Sequence, residues 1–235
     1  MTTRKRLSAI AVLVALTLGV LAPASEAAAT RYVTVSAQGT VKVVPDAVRI
    51  NATATTVAAS NKEALATTAK TAAAIRAALK VSKIDTKDIA TQSVSVYPEY
   101  KYNTDGTSTL VGYRASQAFT ITVRAAVSAG SIVDSLITAG GDNLQINGAT
   151  PFILDSTQSL EAARTAAVKS AKAKATSYAK LLGVKLGKVN YLVENSAPTN
   201  YTPVMAVAKA ESDATVIDLG QQDVTISVTV QWSLL

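Results

Sequence analysis

Three segments of the chain alternate apolar and polar residues with a period of two, and this alternation constrains the fold more than any other feature. Each segment predicts a strand with one buried and one solvated face, as in antiparallel sheets. The three segments are 48–55, 113–124 and 224–232, and further strands are predicted at 31–38, 91–102, 144–154 and 188–195. The apolar face is predicted to comprise Val48, Ile50, Ala52, Ala54, Tyr113, Ala115, Phe119, Ile121, Val123, Val224, Ile226, Val228, Val230 and Trp232.

Helical spacing follows the first of these strands. Ser60 and Glu63 form a capping box, in which the serine side chain satisfies a free amide of the first turn. A short second helix is predicted at 128–139, ending at Gly140-Gly141. The apolar stripe of the first helix is predicted to comprise Leu65, Ala69, Ala72, Ile75 and Leu79.

The longest predicted helix covers 157–182. Asp155 and Gln158 resemble a capping box at its start, and Gly183 fits the position after its end. Its stripe is rich in alanine, which would let the helix approach a sheet closely. The stripe is predicted to comprise Leu160, Ala163, Ala167, Ala171, Tyr178 and Leu182.

The order of these elements predicts an α+β fold: a largely antiparallel sheet with helices packed on one face. Residues 46–124 and 144–232 each form a βαββ-like unit, and the short helix joins the two units. Residues 46–154 also have the βαββαβ order of a ferredoxin-like motif. The connection 196–221 is long for a compact domain, so it is either an oligomer contact or binding arm, or a surface excursion.

Residues 1–29 have the pattern of a signal peptide, with cleavage between 24 and 29, and 30–235 are predicted to form a single domain. A basic start (4–6) precedes an apolar stretch (7–21) and small residues. We therefore expect an exported protein, located in the periplasm, at the cell surface or secreted, with no membrane span in the mature chain. Removing the leader lowers the formal charge from +7 to +5, because three cations and Glu26 are lost. We expect no nucleic-acid partner for an exported chain of this charge.

The chain contains no cysteine and no histidine. This excludes disulfides, thiol chemistry, histidine-based acid–base catalysis and the usual zinc and haem ligands. Ser177 and Lys180 match a Ser-x-x-Lys motif, but the partner motifs of penicillin-recognising enzymes are absent. We therefore predict no catalytic residues, no metal site, no cofactor and no enzymatic activity.

The candidate interaction surface comprises Tyr97, Tyr100, Tyr102 and Tyr113, together with Met205 in the long connection. A two-residue turn at Asp105-Gly106 would pair Tyr102 with Thr109, Tyr100 with Val111, and Pro98 with Tyr113. Tyr100, Tyr102 and Tyr113 would then share the core-facing side of a hairpin that extends beyond the helices. Tyr97 would point the other way, opposite Arg114, where a cation–π contact is expected.

Several blocks in order resemble the SIMPL domain family, and together they cover nearly all of 33–234. The blocks are VTVSAQGTVKVVPDAVRI, IDTKDIATQSVSVYPEY, GYRASQAFTITVR, GGDNLQINGATPFILDS, EAARTAAVKSAKAKATSYAKLLGVKLGKV and GQQDVTISVTVQWSL. One departure is VSKI (81–84), since many members carry glycine where this chain has Lys83. The resemblance implies an exported envelope protein without established catalytic residues or cofactor. Some members are linked to oxidative-stress defence, some are immunogenic, and some form ring-like oligomers.

These observations favour a non-enzymatic cell-envelope or secreted protein that acts through self-assembly and partner binding, with stress defence as a role that the resemblance implies. We expect a homo-oligomer, with an envelope protein or an anionic polymer as a further partner. The alternative is a binding module for an anionic cell-wall polymer or lipid headgroup, on the basic third helix with Lys169, Lys172 and Lys174. An enzyme would have to use carboxylate, lysine or tyrosine chemistry.

Overall fold

The computed structural model describes residues 31–195 and 215–235. Its fold consists of two antiparallel sheets, one covered on one face by two helices and the other by a single helix. The predicted α+β class is confirmed, and so is the order of strands and helices. The elements are β1 (Tyr32–Val43), β2 (Ala47–Ala58), α1 (Asn61–Val81), β3 (Ile89–Tyr102), β4 (Ser108–Val123), α2 (Ala129–Gly140), β5 (Leu144–Phe152), α3 (Thr157–Leu181), β6 (Leu186–Asn195) and β7 (Gln222–Leu234).

The strands are divided between two sheets where the sequence predicted one. The larger sheet has the order β3-β4-β2-β5, and the smaller sheet has the order β1-β7-β6. Together with α1 and α2, the larger sheet has the ferredoxin-like topology that the βαββαβ order predicted. The second βαββ unit spans both sheets, because β5 joins β2 while β6 and β7 join β1.

The first core lies between the larger sheet and helices α1 and α2. The predicted apolar faces of β2 and β4 are buried, except that Tyr113 is half-buried. In α1, Ser60 caps the amide of Glu63 as predicted, at 3.2 Å. Leu65 and Ala69, however, are exposed. Ala64 and Thr68 are buried in their place, and the Thr68 hydroxyl donates to the carbonyl of Ala115.

The second core lies between α3 and the smaller sheet. The predicted close approach of the alanine stripe is confirmed: a Cβ on Gly39 of β1 would lie 2.2 Å from the Ala163 carbonyl oxygen. The buried face of α3 consists of Ala163, Ala167, Ala171, Ala175 and Ala179. Tyr178 and Leu182 were predicted on this face and are exposed, because at so short a separation only small residues fit.

Residues 215–220 link the second sheet to the first core. Ile217 and Leu219 pack against that core, and the Thr215 hydroxyl donates to Asp134 of α2 at 2.6 Å. A Cβ on Gly130 of α2 would lie 1.9 Å from the Thr215 carbonyl oxygen, so glycine is required for this contact. The last part of the predicted connection 196–221 is therefore packed against the protein. Residues 196–214, which include Met205, lie outside the described residues.

Across residues 31–195 and 215–235, no helix combines the length and apolar character that crossing a bilayer requires.

We predict that Gly39→Ala destabilises the protein by about 1–3 kcal/mol, because the added methyl group meets helix backbone that cannot rotate away. The nearest atoms are the Ala163 oxygen and the Ala167 nitrogen, at 2.2 and 2.3 Å. Urea denaturation of the mature protein measures the change. Gln38→Ala, on the solvated face of the same strand, is the control and should unfold like the wild type; equal stability of both variants would refute the close approach.

Candidate functional site

The hairpin of β3 and β4 carries the predicted tyrosine cluster and ends in a loop closed by hydrogen bonds. The strands pair from Ile89 opposite Ile121 to Tyr102 opposite Ser108. The loop is longer than the predicted two-residue turn, since residues 103–107 connect the strands. Asn103 donates its backbone amide to the Thr107 carbonyl at 2.9 Å, and Thr107 donates its amide to the Asp105 carboxylate at 2.9 Å. Gly106 has a φ of 84°, which favours glycine.

The register of the hairpin agrees with the prediction at its base and differs near its tip. Pro98 pairs with Tyr113, as predicted. Tyr100 pairs with Leu110, and Tyr102 with Ser108, each one residue away from the predicted partner. The cause is a β-bulge next to Glu99 and Tyr100, which leaves Val111 as the extra residue on β4.

The tyrosines lie on both faces of the hairpin. By strand alternation, Tyr100 and Tyr102 lie on the face of Pro98, whose partner is Tyr113. Tyr97 lies on the opposite face. Tyr97 and Tyr100 are equally exposed, at 48% and 47%, and Tyr102 near the tip is 82% exposed. Leu110 and Val111 are also exposed, so Tyr100, Tyr102, Leu110 and Val111 form an apolar hairpin-tip surface.

An ion pair joins the two strands on the opposite face of the hairpin, the face of Tyr97. The Arg114 guanidinium donates from two nitrogens to the two carboxylate oxygens of Glu99. Hydrogen bonding to Arg114 lowers the pKa of Glu99 from its usual range. The prediction of a cation–π contact between Arg114 and Tyr97 is wrong, because the Arg114 guanidinium pairs with Glu99. The cation–π contacts within the described chain join Arg49 to Phe152 and Arg76 to Phe119. Diagonal pairing across the strands is the signal that could have identified Glu99.

Exposed apolar residues also lie on both faces of β6. This strand is hydrogen-bonded to β7 on one side and is the edge of the smaller sheet. It packs little against α3, which lies over β1 and β7. Its exposed apolar residues are Val189, Tyr191, Leu192 and Val193.

The basic third helix is only partly available to an anion. Arg164 donates to Glu194 at 2.9 Å and to Glu161 at 3.4 Å. Lys174 donates to the Ser36 carbonyl at 3.3 Å, beside a cleft of about 830 Å³ between β1, β7 and α3. Lys169 and Lys172 are exposed.

An ion pair between buried Asp88 and half-exposed Arg124 lies at the turn between α1 and β3. Asp88 is 7% exposed and accepts two hydrogen bonds from Arg124, at 2.7 and 2.8 Å. These bonds lower the pKa of Asp88 below its usual value of 3.8, against the opposing effect of desolvation. No sequence pattern identifies Arg124 as the bidentate partner of Asp88.

Known proteins resemble this chain over most of its length. The sequence profile of the SIMPL family, described as a protein of unknown function (DUF541), matches residues 33–232. A "26 kDa periplasmic immunogenic protein" of Brucella melitensis is 26% identical over 215 residues, which cover 86% of this chain and 84% of that protein. An "Uncharacterized protein YggE" of Escherichia coli is 28% identical over 201 residues, which cover 83% of this chain and 78% of that protein. The protein of that name from Edwardsiella ictaluri is 30% identical over 150 residues, 61% of each chain.

Asp88→Asn is predicted to lower the free energy of unfolding at neutral pH by about 1–2 kcal/mol, because Arg124 loses its charged partner. The folded-state pKa of Asp88 lies below 3.8, so the ionised pair stabilises the fold above that pH, and its contribution is lost as the pH falls through the folded-state value. Urea denaturation should therefore show a deficit at pH 7 that shrinks below pH 3.8.

Asp85→Asn, at an exposed carboxylate that pairs with Lys87, is the matched control and should change stability by less than about 0.5 kcal/mol. A deficit of Asp88→Asn that is the same at every pH would contradict the assignment of the effect to the ion pair.

Proposed function

This chain belongs to the SIMPL family, and we propose that it is a non-enzymatic exported protein that acts through self-assembly and partner binding, with the hairpin-tip surface as the contact. The leader pattern of residues 1–29 and the periplasmic relatives support export. The implied part in stress defence would rest on binding, since the chain contains no thiol.

The observation that carries the proposal is the exposure of the hairpin-tip surface. Monomeric proteins rarely expose large contiguous apolar patches, and tyrosine is enriched where proteins bind each other. The surface is also held in place by the Glu99–Arg114 pair and by the hydrogen bonds of loop 103–107. A rigid contact loses little conformational entropy on binding, which favours association.

A second copy of this chain suits the hairpin-tip surface. By strand alternation, the nearby charged residues Glu99, Lys101 and Arg114 lie on the opposite face of the hairpin. Glu99 and Arg114 also neutralise each other. Two such hairpins can therefore approach without the repulsion that a charged patch would cause. The exposed residues of β6 offer a second contact, and two different contacts on one chain can build an assembly larger than a dimer.

Tyr100→Ser is predicted to weaken the assembly of the mature protein by at least about tenfold, because it removes a central aromatic contact. Light scattering coupled to size-exclusion chromatography, over a range of protein concentrations, measures the effect. Tyr97→Ser is the matched control, since both rings are about half exposed and Tyr97 lies on the opposite face.

A strictly monomeric wild-type protein would refute self-assembly itself. An equal loss of assembly in both tyrosine variants would refute the hairpin-tip surface as the contact.

The second candidate function is binding of an anionic cell-wall polymer or lipid headgroup along α3. Lys169 and Lys172 are exposed, and no carboxylate of the described residues pairs with them, which favours this candidate. Lys174 adds a third cation beside the 830 Å³ cleft.

Replacing Lys169, Lys172 and Lys174 by glutamine should abolish most of the cosedimentation with purified cell walls or with vesicles rich in phosphatidylglycerol, and added salt should do the same to the wild type. The control variant replaces Lys42, Lys101 and Lys188 by glutamine. It removes the same amount of charge away from α3 and should leave binding to cell walls and vesicles intact. Unchanged binding of the α3 variant would exclude this strip.

A further inference from the structure

The C-terminal end of α1 borders a cleft of about 510 Å³ in which cationic side chains predominate. Its ionic lining consists of Arg76, Lys80, Lys83 and Asp85, and the hydroxyl-bearing residues Thr86 and Thr91 complete the polar part. Asp85 forms an ion pair with Lys87 at 3.0 Å. The cleft therefore has an excess of positive charge.

The three cations of this cleft are not engaged by carboxylates in the part of the chain that the structure describes. Arg114, Arg124 and Arg164, by contrast, each donate to an aspartate or glutamate. Arg76 is held from two sides, since its guanidinium carbon lies 5.1 Å from the centre of the Phe119 ring and one nitrogen donates to Thr91 at 3.5 Å. The positive charge of Arg76 is therefore held in place by these two contacts, and no carboxylate of the described residues neutralises it.

Lys83 occupies a backbone position that favours glycine. Its φ is +60°, and no other non-glycine residue of the described chain has a positive φ. The amide of Lys83 donates to the Lys80 carbonyl at 3.1 Å, and that of Ile84 donates to Leu79 at 2.9 Å. These two bonds form a Schellman motif, whose left-handed residue is usually glycine because other side chains are strained there.

The end of α3 provides an internal comparison. Gly183 donates its amide to Lys180 at 3.2 Å, and Val184 donates to Ala179 at 3.0 Å, which is the same motif. Gly183 has a φ of 69° and occupies the position equivalent to Lys83. The Schellman motif at the end of α3 therefore has an unstrained glycine, Gly183. The same motif at the end of α1, beside the cleft, has a strained lysine, Lys83. Strain retained at one position is an observation from which a function can be inferred.

We propose that this cleft binds a phosphate-bearing ligand through Arg76, Lys80 and Lys83, with the Thr86 and Thr91 hydroxyls as further donors. Three cations line the cleft, which is more positive charge than one carboxylate would neutralise. A phosphate monoester carries about two negative charges and three acceptor oxygens, and so matches this lining better. A planar guanidinium matches two phosphate oxygens, and lysines supply mobile point charges. The site is separate from the hairpin-tip surface and from α3, and it does not depend on either proposed function.

Titration calorimetry of the mature protein with sodium tripolyphosphate tests the soluble form of this chemistry, and cosedimentation with phosphatidic acid vesicles tests the lipid form. Binding of either probe that weakens at least about tenfold in Lys80→Gln/Lys83→Gly supports the site. The matched control is Lys62→Gln/Lys70→Gln, which removes the same charge from exposed positions of the same helix and should bind like the wild type. The probe that binds identifies the source of the phosphate.

The single variant Lys83→Gly separates binding from folding. It removes one cation and also relieves the left-handed strain, so it should bind tripolyphosphate more weakly and melt no lower than the wild type. A misfolded variant would give weaker binding with a lower melting temperature. Absence of wild-type binding to both probes, or an equal loss in the Lys62→Gln/Lys70→Gln control, would overturn the proposal.

Discussion

Pairing of the first strand of the fold with the last one determines the rest of the architecture. β1 pairs with β7 along its whole length, from Tyr32 opposite Ser233 to Val43 opposite Gln222. This pairing separates β1 from the ferredoxin-like sheet and gives α3 a second sheet to cover. Gly39 then lets the α3 backbone approach β1 at Ala163 and Ala167. Because β1 and β7 are far apart in the sequence, their pairing is a non-local contact, whose loop-closure entropy is lost before the contact stabilises the fold.

Local features of the fold could be predicted from the sequence, and long-range choices could not. The faces of β2, β4 and β7 follow from alternation, and the helix ends follow from Ser60, Gly141 and Gly183. Alternation states which side of a strand is buried but not which strand lies beside it, so the division into two sheets was not visible. Helical spacing places Tyr178 on the buried stripe, but the short distance between helix and sheet leaves room only for small residues there.

The same distinction between local and long-range features applies to the candidate sites. The shared face of Tyr100, Tyr102 and Tyr113 could be predicted, because strand parity survives a bulge that falls on the partner strand. The bulge at Val111 could not be predicted, because it changes the register near the tip. The Glu99–Arg114 pair could have been inferred from diagonal pairing in the predicted register. For the cationic cleft, the only sequence signal was Lys83 in a position typical of glycine, and its meaning depended on the backbone conformation.

In this account, a rigid scaffold presents an apolar hairpin that a second copy covers, and the absence of cysteine makes a direct test simple. A nitroxide attached at a single Ser108→Cys, at the exposed position opposite Tyr102, would report whether the tip becomes covered. The account predicts that the label loses mobility as protein concentration rises, while a label at exposed Lys172 stays mobile. A label at the tip that stays equally mobile at every concentration would contradict the central claim.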